Sequence, residues 1–254
     1  MNRKKSILEQ RRESLLEMIR HTDGQAFDID KVSALLGISP VTLRRDLVVL
    51  QDQGLISRSY GKVSLIRDGK AAEPEISSDI LTRIAKRAAK LVAEGDIIFL
   101  NTSSTALRML KYVEALNVTV ITNNVLAVNT PHRPDMSILL TGGEVRYPKY
   151  AMVGDFAMRT LQSINANKCF VGCNGFSIDC GMTTENFNEV NINTLMLTQS
   201  RGPVYLLADH TKIGKNSSFT SGPAQLISHL ITDSGTDAEM LQAFRDLGIQ
   251  VTQV

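Results

Sequence analysis

The chain has 254 residues, 43% of them apolar, which fits about two globular domains and excludes a disordered protein. No stretch approaches the roughly 20 apolar residues of a membrane span, and no apolar signal segment follows the basic start, so we expect a cytoplasmic chain with no membrane partner. The net charge is only +2, but it is unevenly distributed: residues 1–70 hold 13 Lys and Arg against 9 Asp and Glu, and the remainder is slightly acidic. This distribution is typical of a nucleic-acid-binding module joined to a second domain.

The first elements along the chain are two short helices around a tight turn. Apolar residues at helical spacing mark the faces that should be buried, which are Val32, Leu35 and Leu36 in the first helix and Leu43, Leu47 and Leu50 in the second. Residues 37–39 form the turn, Ser39 is a good N-cap, and Pro40 suits the first helical position because its missing N–H has no helical partner there. Together these features predict a helix-turn-helix.

The polar residues near the start of the second helix are candidate DNA ligands. Thr42, Arg44 and Arg45 lie off its apolar stripe, where Arg can bond guanine or phosphate and Thr can contact a base edge or a phosphate. Residues 55–65 then indicate a two-stranded wing that turns near Gly61. The predicted DNA-binding residues are Ser39, Thr42, Arg44, Arg45, Arg58, Tyr60 and Lys62. Two alternatives stay open here: an ordinary solvated arginine pair, or a winged helix that contacts protein.

Three zones are predicted: a winged helix-turn-helix domain over 1–66, a linker over 67–78 and an α/β domain over 79–254. Strands of the third zone are predicted over 96–100, 118–122, 137–140, 169–171, 204–208 and 226–232. Helices are predicted over 79–93, 104–115, 150–163, 189–200 and 237–247. Near-continuous apolar strands that alternate with helices predict a mainly parallel sheet covered on both faces.

A hydroxyl-rich turn after the first of these strands suits an anion. Residues 102–105, Thr-Ser-Ser-Thr, open the next helix, where free N–H groups and the helix dipole favour negative charge. Ordinary helix capping is the alternative. Open α/β sheets bind ligands at the carboxyl ends of their strands. Polar segments follow further strands at 122–124, 141–144, 172–175 and 209–212, and their side chains could converge on one pocket.

The helix-turn-helix resembles that of the DeoR family of transcription regulators. Residues 37–47, Gly-Ile-Ser-Pro-Val-Thr-Leu-Arg-Arg-Asp-Leu, are similar to its recognition segment, roughly G-V-S-x-x-T-I-R-R-D-L, and residues 50–58 also look like the family. The wing departs from the family ending R-x-H-G-G-A, because Tyr60 replaces its His and Lys62 its second Gly. The resemblance implies a transcription repressor that binds double-stranded operator DNA, with wing contacts and sequence preference of its own.

The resemblance extends over the larger domain in the order of its motifs. Residues 101–105 match the family's D-x-G-T-T, residues 122–123 match its T-N, and residues 142–143 match its G-G. Residues 181–184 and Glu189 match its G-x-T and downstream glutamate, and residues 208–212 match its A-D-x-x-K. Asn101 replaces the family's Asp, Ser103 its Gly, and residues 191–193 (Asn-Ile-Asn) stand where a Lys or Arg is common.

By implication this domain has a fold similar to ribose-5-phosphate isomerase and senses a phosphorylated sugar or related metabolite of carbohydrate catabolism. The predicted effector-binding residues are Asn101, Thr102, Ser103, Ser104, Thr105, Asn123, Gly142, Gly143, Glu189, Asp209 and Lys212.

The main rival is a sugar-phosphate isomerase that uses the same pocket. Proton abstraction needs a carboxylate base; Asp209 and Lys212 are conceivable players, but Asn101 removes one candidate. The sequence has no nucleotide-binding glycine loop, nucleophile elbow or His-Glu-x-x-His motif, and its three cysteines fit neither disulfides nor a zinc site. We therefore expect no catalytic activity, no cofactor and no metal. We also expect a homo-oligomer, a dimer or tetramer, that presents several DNA-binding modules to repeated half-sites.

Overall fold

A computed structural model describes residues 11–12, 14–16, 18–19, 29–52, 55–59, 62–67, 70–71, 75–147 and 149–254. The chain divides into two units, a smaller one over Met1–Pro74 and a larger one over Glu75–Val254. Within the described residues, no helix has the length and apolar character that a membrane span needs.

The smaller unit combines helices with a wing. Its described residues between 11 and 19 are helical, and its other elements are α1 (Ile29–Leu36), α2 (Pro40–Asp52), β1 (Ile56–Ser59), β2 (Lys62–Arg67) and β3 (Lys70–Ala71). Its core consists of Leu15, Ile19, Val32, Leu43, Leu47, Leu50, Ile56 and Val63. The three leucines predicted for the apolar stripe of α2 all lie in this core, as a helix-turn-helix requires.

A glycine fixes the turn between α1 and α2. Gly37 has a φ of +63°, and the N–H groups of Gly37 and Ile38 donate back to carbonyls in the last turn of α1, which ends that helix. One predicted core residue is wrong, since Leu35 is 73% exposed. The buried side of α1 is centred on Val32 and Leu36, and Leu35 points away from it.

The wing is a three-stranded antiparallel sheet in the order β1-β2-β3, whereas two strands were predicted. Ser59 pairs with Lys62 in the first hairpin, and Arg67 pairs with Lys70 in the second. The third strand lies inside the segment 67–78 that was predicted as a linker. A strand of only two residues has too little periodicity to be recognised from the sequence.

The larger unit begins with α3 (Glu75–Ala89), four residues before the predicted start. Its other helices are α4 (Ser104–Met109), α5 (Asp155–Gln162), α6 (Phe187–Thr198) and α7 (Ala238–Asp246). Its strands are β4 (Ile97–Leu100), β5 (Thr119–Thr122), β6 (Ser137–Leu140), β7 (Glu144–Arg146), β8 (Ala151–Val153), β9 (Lys168–Val171), β10 (Gly175–Ser177), β11 (Gly181–Thr184), β12 (Val204–Leu207), β13 (Phe219–Gly222), β14 (His229–Thr232) and β15 (Gln250–Gln253).

Seven of these strands form one sheet in the order β15-β14-β12-β9-β4-β5-β6, and every neighbouring pair is parallel. Alternate residues of a strand enter two separate cores. Phe99 belongs to a core that also holds residues of α5, α6 and α7, whereas Ile98 and Leu100 belong to a core with residues of α3 and α4. The predicted parallel α/β fold with helices on both faces is confirmed.

Several boundaries differ from the predicted ones. The helix predicted over 150–163 begins only at Asp155, because residues 151–153 form β8, which pairs with β7, and Gly154 at φ +90° separates strand from helix. The helix predicted over 104–115 ends at Met109 and continues as a 3-10 turn. The strand predicted over 226–232 starts at His229, after another 3-10 turn.

The order of the strands places a crevice at the centre of the sheet. From β4 the chain continues to β5 and β6 on one side, then returns to β9 on the other side of β4. Such a reversal is a topological switch point, and open α/β sheets bind ligands there, at the carboxyl ends of the strands. The segments after β4 and β9 therefore flank the geometrically favoured ligand site.

Candidate DNA-binding surface and sensor site

The two faces of α2 have opposite character. Leu43, Leu47 and Leu50 are buried, while Arg44 and Arg45 are exposed on the other side of the helix. The predicted separation of the arginines from the apolar stripe is thus confirmed. Two exposed guanidinium groups on a helix that follows a tight turn can reach phosphates or the acceptor edge of guanine.

The first turn of α2 has the predicted cap. The Thr42 N–H donates to Ser39 Oγ at 3.1 Å, and the two side-chain hydroxyls are 2.8 Å apart. Ser39 thus satisfies an N–H group that the helix leaves free. Both hydroxyls stabilise the start of the helix that carries the arginines.

A buried carboxylate connects α2 to the helical residues before it. Asp46 is almost fully buried, and its two oxygens accept hydrogen bonds from Arg11 Nε at 2.6 Å and Arg12 Nε at 3.2 Å. Burial alone would raise the pKa of the Asp46 carboxyl, but the bonds and charges of the two arginines outweigh it and hold the pKa below its ordinary value. Arg11 and Arg12 line one surface depression with Thr42 and Arg45. This ion-paired contact joins residues up to 35 positions apart and was not predicted from the sequence.

Replacing Asp46 by Asn should lower the free energy of unfolding of the smaller unit by about 2 kcal/mol at pH 7, since charged hydrogen bonds are lost. The contribution of the carboxylate is present above its unfolded pKa of about 3.9 and is lost as the pH falls through its lower folded pKa. Thermal unfolding between pH 7 and pH 2.5 measures both effects. Asp79→Asn, which removes an exposed ion pair with Arg83, is the matched control and should change little. Equal stability of Asp46→Asn and the parent chain at pH 7 would contradict this role.

Three of the residues predicted to contact DNA belong to the wing. Tyr60, predicted to contact DNA, lies outside the described residues. Arg58 pairs with Val63 and Lys62 pairs with Ser59, so both residues lie where the end of β1 adjoins the start of β2.

In the larger unit, Asn101 bridges the ends of β4 and β9. It is 2% exposed; its Oδ1 accepts from the N–H of Gly172 at 3.0 Å and of Ser103 at 3.2 Å. Its Nδ2 donates to Gly172 C=O at 2.9 Å and to Asn193 Oδ1 at 3.1 Å. Both donors and both acceptor positions of the amide are thus used within the protein.

The contact with Asn193 links two departures from the family pattern. Asn101 stands where the family has Asp, and Asn193 falls in the stretch where a Lys or Arg is common. The structure places these two amides in direct contact, so a neutral hydrogen-bonded pair occupies this position. Asn193 also donates from Nδ2 to Ser221 Oγ at 3.4 Å.

A second network surrounds the buried carboxylate of Glu189. Thr102 Oγ1 donates to Oε2 of Glu189 at 3.1 Å, and Asn186 Nδ2 donates to Oε1 at 3.0 Å. Lys149 Nζ lies 3.5 Å from the same Oε1. Thr102 and Glu189, both predicted effector residues, are therefore in contact beside Asn101, with a cation at their outer side.

The hydroxyl turn also caps α4. Ser103 Oγ accepts from the Ala106 N–H at 3.3 Å, so the capping alternative holds for Ser103. Ser104 is half-buried and Thr105 is buried. Gly172 lets the turn approach β9 closely, because a Cβ at Gly172 would stand 2.1 Å from Ser103 Oγ.

At the end of β5, Asn123 is buried and donates from Nδ2 to Met152 C=O at 3.2 Å. Among the described residues its Oδ1 has no hydrogen-bond partner, although it is buried. A buried polar atom normally has one. Gly142 and Gly143 follow β6 with φ values of +73° and +102°, and no hydrogen bond in the described ranges joins them to Asn101 or Glu189.

Asp209 and Lys212 lie in one loop after β12. The Asp209 carboxylate accepts from the N–H of Thr211 at 2.9 Å and from its hydroxyl, and the Lys212 C=O accepts from the Phe176 N–H at 2.9 Å. Both charges act on Cys173, which follows β9: burial raises the pKa of its thiol to about 12, while Lys212 lowers it and Asp209 raises it. This loop therefore borders the β9 side of the crevice.

The structure thus brings the predicted residues 101–105 together with Glu189, and sets Asp209 and Lys212 beside the neighbouring strand end. Sequence reasoning missed Lys149, Asn186 and Asn193. Asn193 could have been found, because it follows Glu189 by four residues and so shares its face of α6. Within the parts of the chain that the structure describes, no group of three or more His, Cys, Asp or Glu is placed to hold a metal ion.

An exposed recognition helix and a polar crevice at a sheet switch point define a helix-turn-helix transcription regulator with an α/β sensor domain. The family model of the DeoR-like helix-turn-helix domain matches residues 11–68, and that of the DeoR C terminal sensor domain matches residues 79–234. The chain belongs to the DeoR family of transcription regulators.

Relatives match over nearly the whole chain. The HTH-type transcriptional regulator YulB of Bacillus subtilis strain 168 is 30% identical over 98% of this chain and 97% of its own. The glycerol-3-phosphate regulon repressor of Escherichia coli K12 is 25% identical over 95% of this chain and 97% of its own. Among solved structures, ribose 5-phosphate isomerase A from Methanocaldococcus jannaschii matches with a TM-score of 0.40 and 17% identity, covering 54% of this chain and 55% of its own.

Proposed function

We propose that this regulator represses a carbohydrate-catabolism operon in the cytoplasm and is controlled by a phosphorylated sugar or a related metabolite. The observation that carries the proposal is the exposed pair Arg44 and Arg45 on α2, in a chain whose sheet holds a buried polar network at its switch point. The name of the Escherichia coli relative, a glycerol-3-phosphate regulon repressor, agrees with both parts.

On the DNA side, α2 enters the major groove of operator DNA. Arg44 and Arg45 contact guanine edges or phosphates there, and Thr42 contacts the duplex near the start of the helix that Ser39 caps. Arg58, Tyr60 and Lys62 of the wing contact the backbone beside the groove.

On the sensor side, the effector occupies the crevice between the ends of β4 and β9. The hydroxyls of residues 102–105 and the ammonium group of Lys212 suit a phosphate, and the carboxylates of Glu189 and Asp209 suit sugar hydroxyls. Asn101 shapes this crevice through its bonds to Gly172. The buried Oδ1 of Asn123, which has no hydrogen-bond partner among the described residues, and the turn at Gly142 and Gly143 bound the site towards β5 and β6.

Regulation requires that the two units influence each other. The chain acts as a dimer or tetramer, since one small module gives limited specificity and paired modules match repeated half-sites. An effector that favours a conformation with mis-spaced modules relieves repression.

A panel of pentose, hexose and triose phosphates, added to the full chain during thermal unfolding, tests the sensor assignment. A true effector at about 100 times its Kd should add about 2.7 kcal/mol to the free energy of unfolding. The unphosphorylated sugars and inorganic phosphate are the controls and should shift the unfolding temperature much less. If every sugar phosphate leaves it unchanged, the sensor assignment is wrong. Turnover of any panel member would instead favour the isomerase alternative.

A further inference from the structure

The exposed face of α2 carries two valines besides its two arginines. Val41 is 60% exposed and Val48 is 46% exposed. Residues 41, 44, 45 and 48 are spaced by three, four and seven positions, so they share one face of the helix. The buried leucines at 43, 47 and 50 occupy the opposite face. The surface offered to DNA is therefore a mixed strip in which valines flank Arg44 and Arg45.

The chemistry of this strip fits base edges better than phosphates. Phosphate oxygens are contacted by basic and hydroxyl groups, and the isopropyl group of a valine cannot make such a contact. In the major groove, by contrast, thymine presents a methyl group beside the acceptors of its neighbours, and apolar side chains pack against it. Burial of both aliphatic surfaces then contributes free energy that water-exposed valines forgo.

The spacing along the helix makes the assignment more specific. Val41 and Val48 are seven residues apart, which is about 10 Å along an α-helix. Base pairs rise by about 3.4 Å, so the two valines span about three base steps if the helix follows the groove. The tie of Asp46 to Arg11 and Arg12 anchors α2, which fixes the direction in which this strip points.

We propose that Val41 and Val48 read the C5-methyl groups of two thymines about three base steps apart, which flank the bases or phosphates contacted by Arg44 and Arg45. This inference rests on the proposed DNA-binding function. It adds two specificity-determining residues, and it predicts a feature of the operator sequence itself.

The test starts from duplexes that the full chain selects out of a randomised library. Each thymine of the selected site is then replaced in turn by deoxyuridine, which lacks only the methyl group. At two positions of each half-site the replacement should weaken binding by the parent chain about fourfold, the equivalent of one buried methyl group. Val41→Ala should abolish the effect at one position, and Val48→Ala at the other.

Folding does not confound these variants, because both valines are exposed and Ala is the better helix former. Val128→Ala is the matched control: Val128 is 49% exposed in the larger unit, so this variant should keep both deoxyuridine effects. The inference is overturned if no position responds to deoxyuridine, or if the valine variants lose affinity equally for both bases. A parent chain that selects no sequence at all would refute the proposed DNA-binding function instead.

Discussion

Replacing Arg44 or Arg45 by alanine should weaken operator binding by about 5- to 150-fold, the equivalent of about 1–3 kcal/mol, if the residue reads a base. Both side chains are exposed on the face of α2 opposite its buried leucines, so the substitutions remove contacts to DNA without opening the core. Binding of the full chain to a labelled operator duplex at fixed salt measures the effect.

A lysine at each position separates two kinds of contact. Lys keeps the charge but loses the planar fork that bonds guanine at two atoms, so it should rescue a phosphate contact and fail to rescue a base contact. Arg245→Ala is the matched control, because Arg245 is an exposed helical arginine of the larger unit. Unchanged operator affinity in both Arg44→Ala and Arg45→Ala would contradict the orientation proposed for α2.

Replacing Asn101 by Asp, the residue that the family pattern has there, should destabilise the larger unit by about 3 kcal/mol at neutral pH. The carboxylate would face Gly172 C=O and Asn193 Oδ1, two acceptors to which the amide now donates. One carboxylate oxygen would keep the two backbone donors of Oδ1, but the buried oxygen that replaces Nδ2 would face two acceptors. That environment favours the protonated acid, so its folded pKa would exceed the unfolded value of about 3.9. The penalty should therefore grow as the pH rises above about 4, which thermal unfolding between pH 4 and pH 8 can follow.

A lysine at position 193 should restore part of the stability that Asn101→Asp removes. Asn193→Lys alone buries a cation against an amide and should also destabilise the chain, whereas Asn101→Asp with Asn193→Lys creates a carboxylate–ammonium pair. The double variant should be more stable than the sum of the two single losses by about 0.5–3 kcal/mol. Additive losses would show that the two positions are not coupled and that the neutral amide pair is not a replacement for a charged one.

The long apolar segments were the most predictable part of the fold. The segments that became β4, β5, β9 and β12 are nearly continuous apolar runs because both faces of each strand are covered by helices. The short strands were missed for the opposite reason. β15, Gln-Val-Thr-Gln, pairs only with β14 at the edge of the sheet, and β7 and β8 are three residues long, so their conformation depends on tertiary pairing that no local pattern records.

In the candidate site, too, some residues could be predicted from the sequence and their contacts could not. The turn at 101–105 could be predicted from its place after a strand, because a parallel sheet gathers the carboxyl ends of its strands at one edge. Glu189 was implied only by the resemblance to the family. The partners of those residues were not predictable, since Asn101 reaches Gly172 and Asn193 across 71 and 92 residues of chain. Likewise, nothing near Asp46 in the sequence indicated that Arg11 and Arg12 would neutralise it.

The most direct test of the central claim is a reciprocal titration of the full chain with its upstream DNA and with the sugar phosphate that most stabilises it. We expect the sugar phosphate to weaken DNA binding by some factor, and DNA to weaken sugar-phosphate binding by the same factor, because coupling between two sites is mutual. Affinities that do not change when the other ligand is present would contradict a metabolite-controlled repressor.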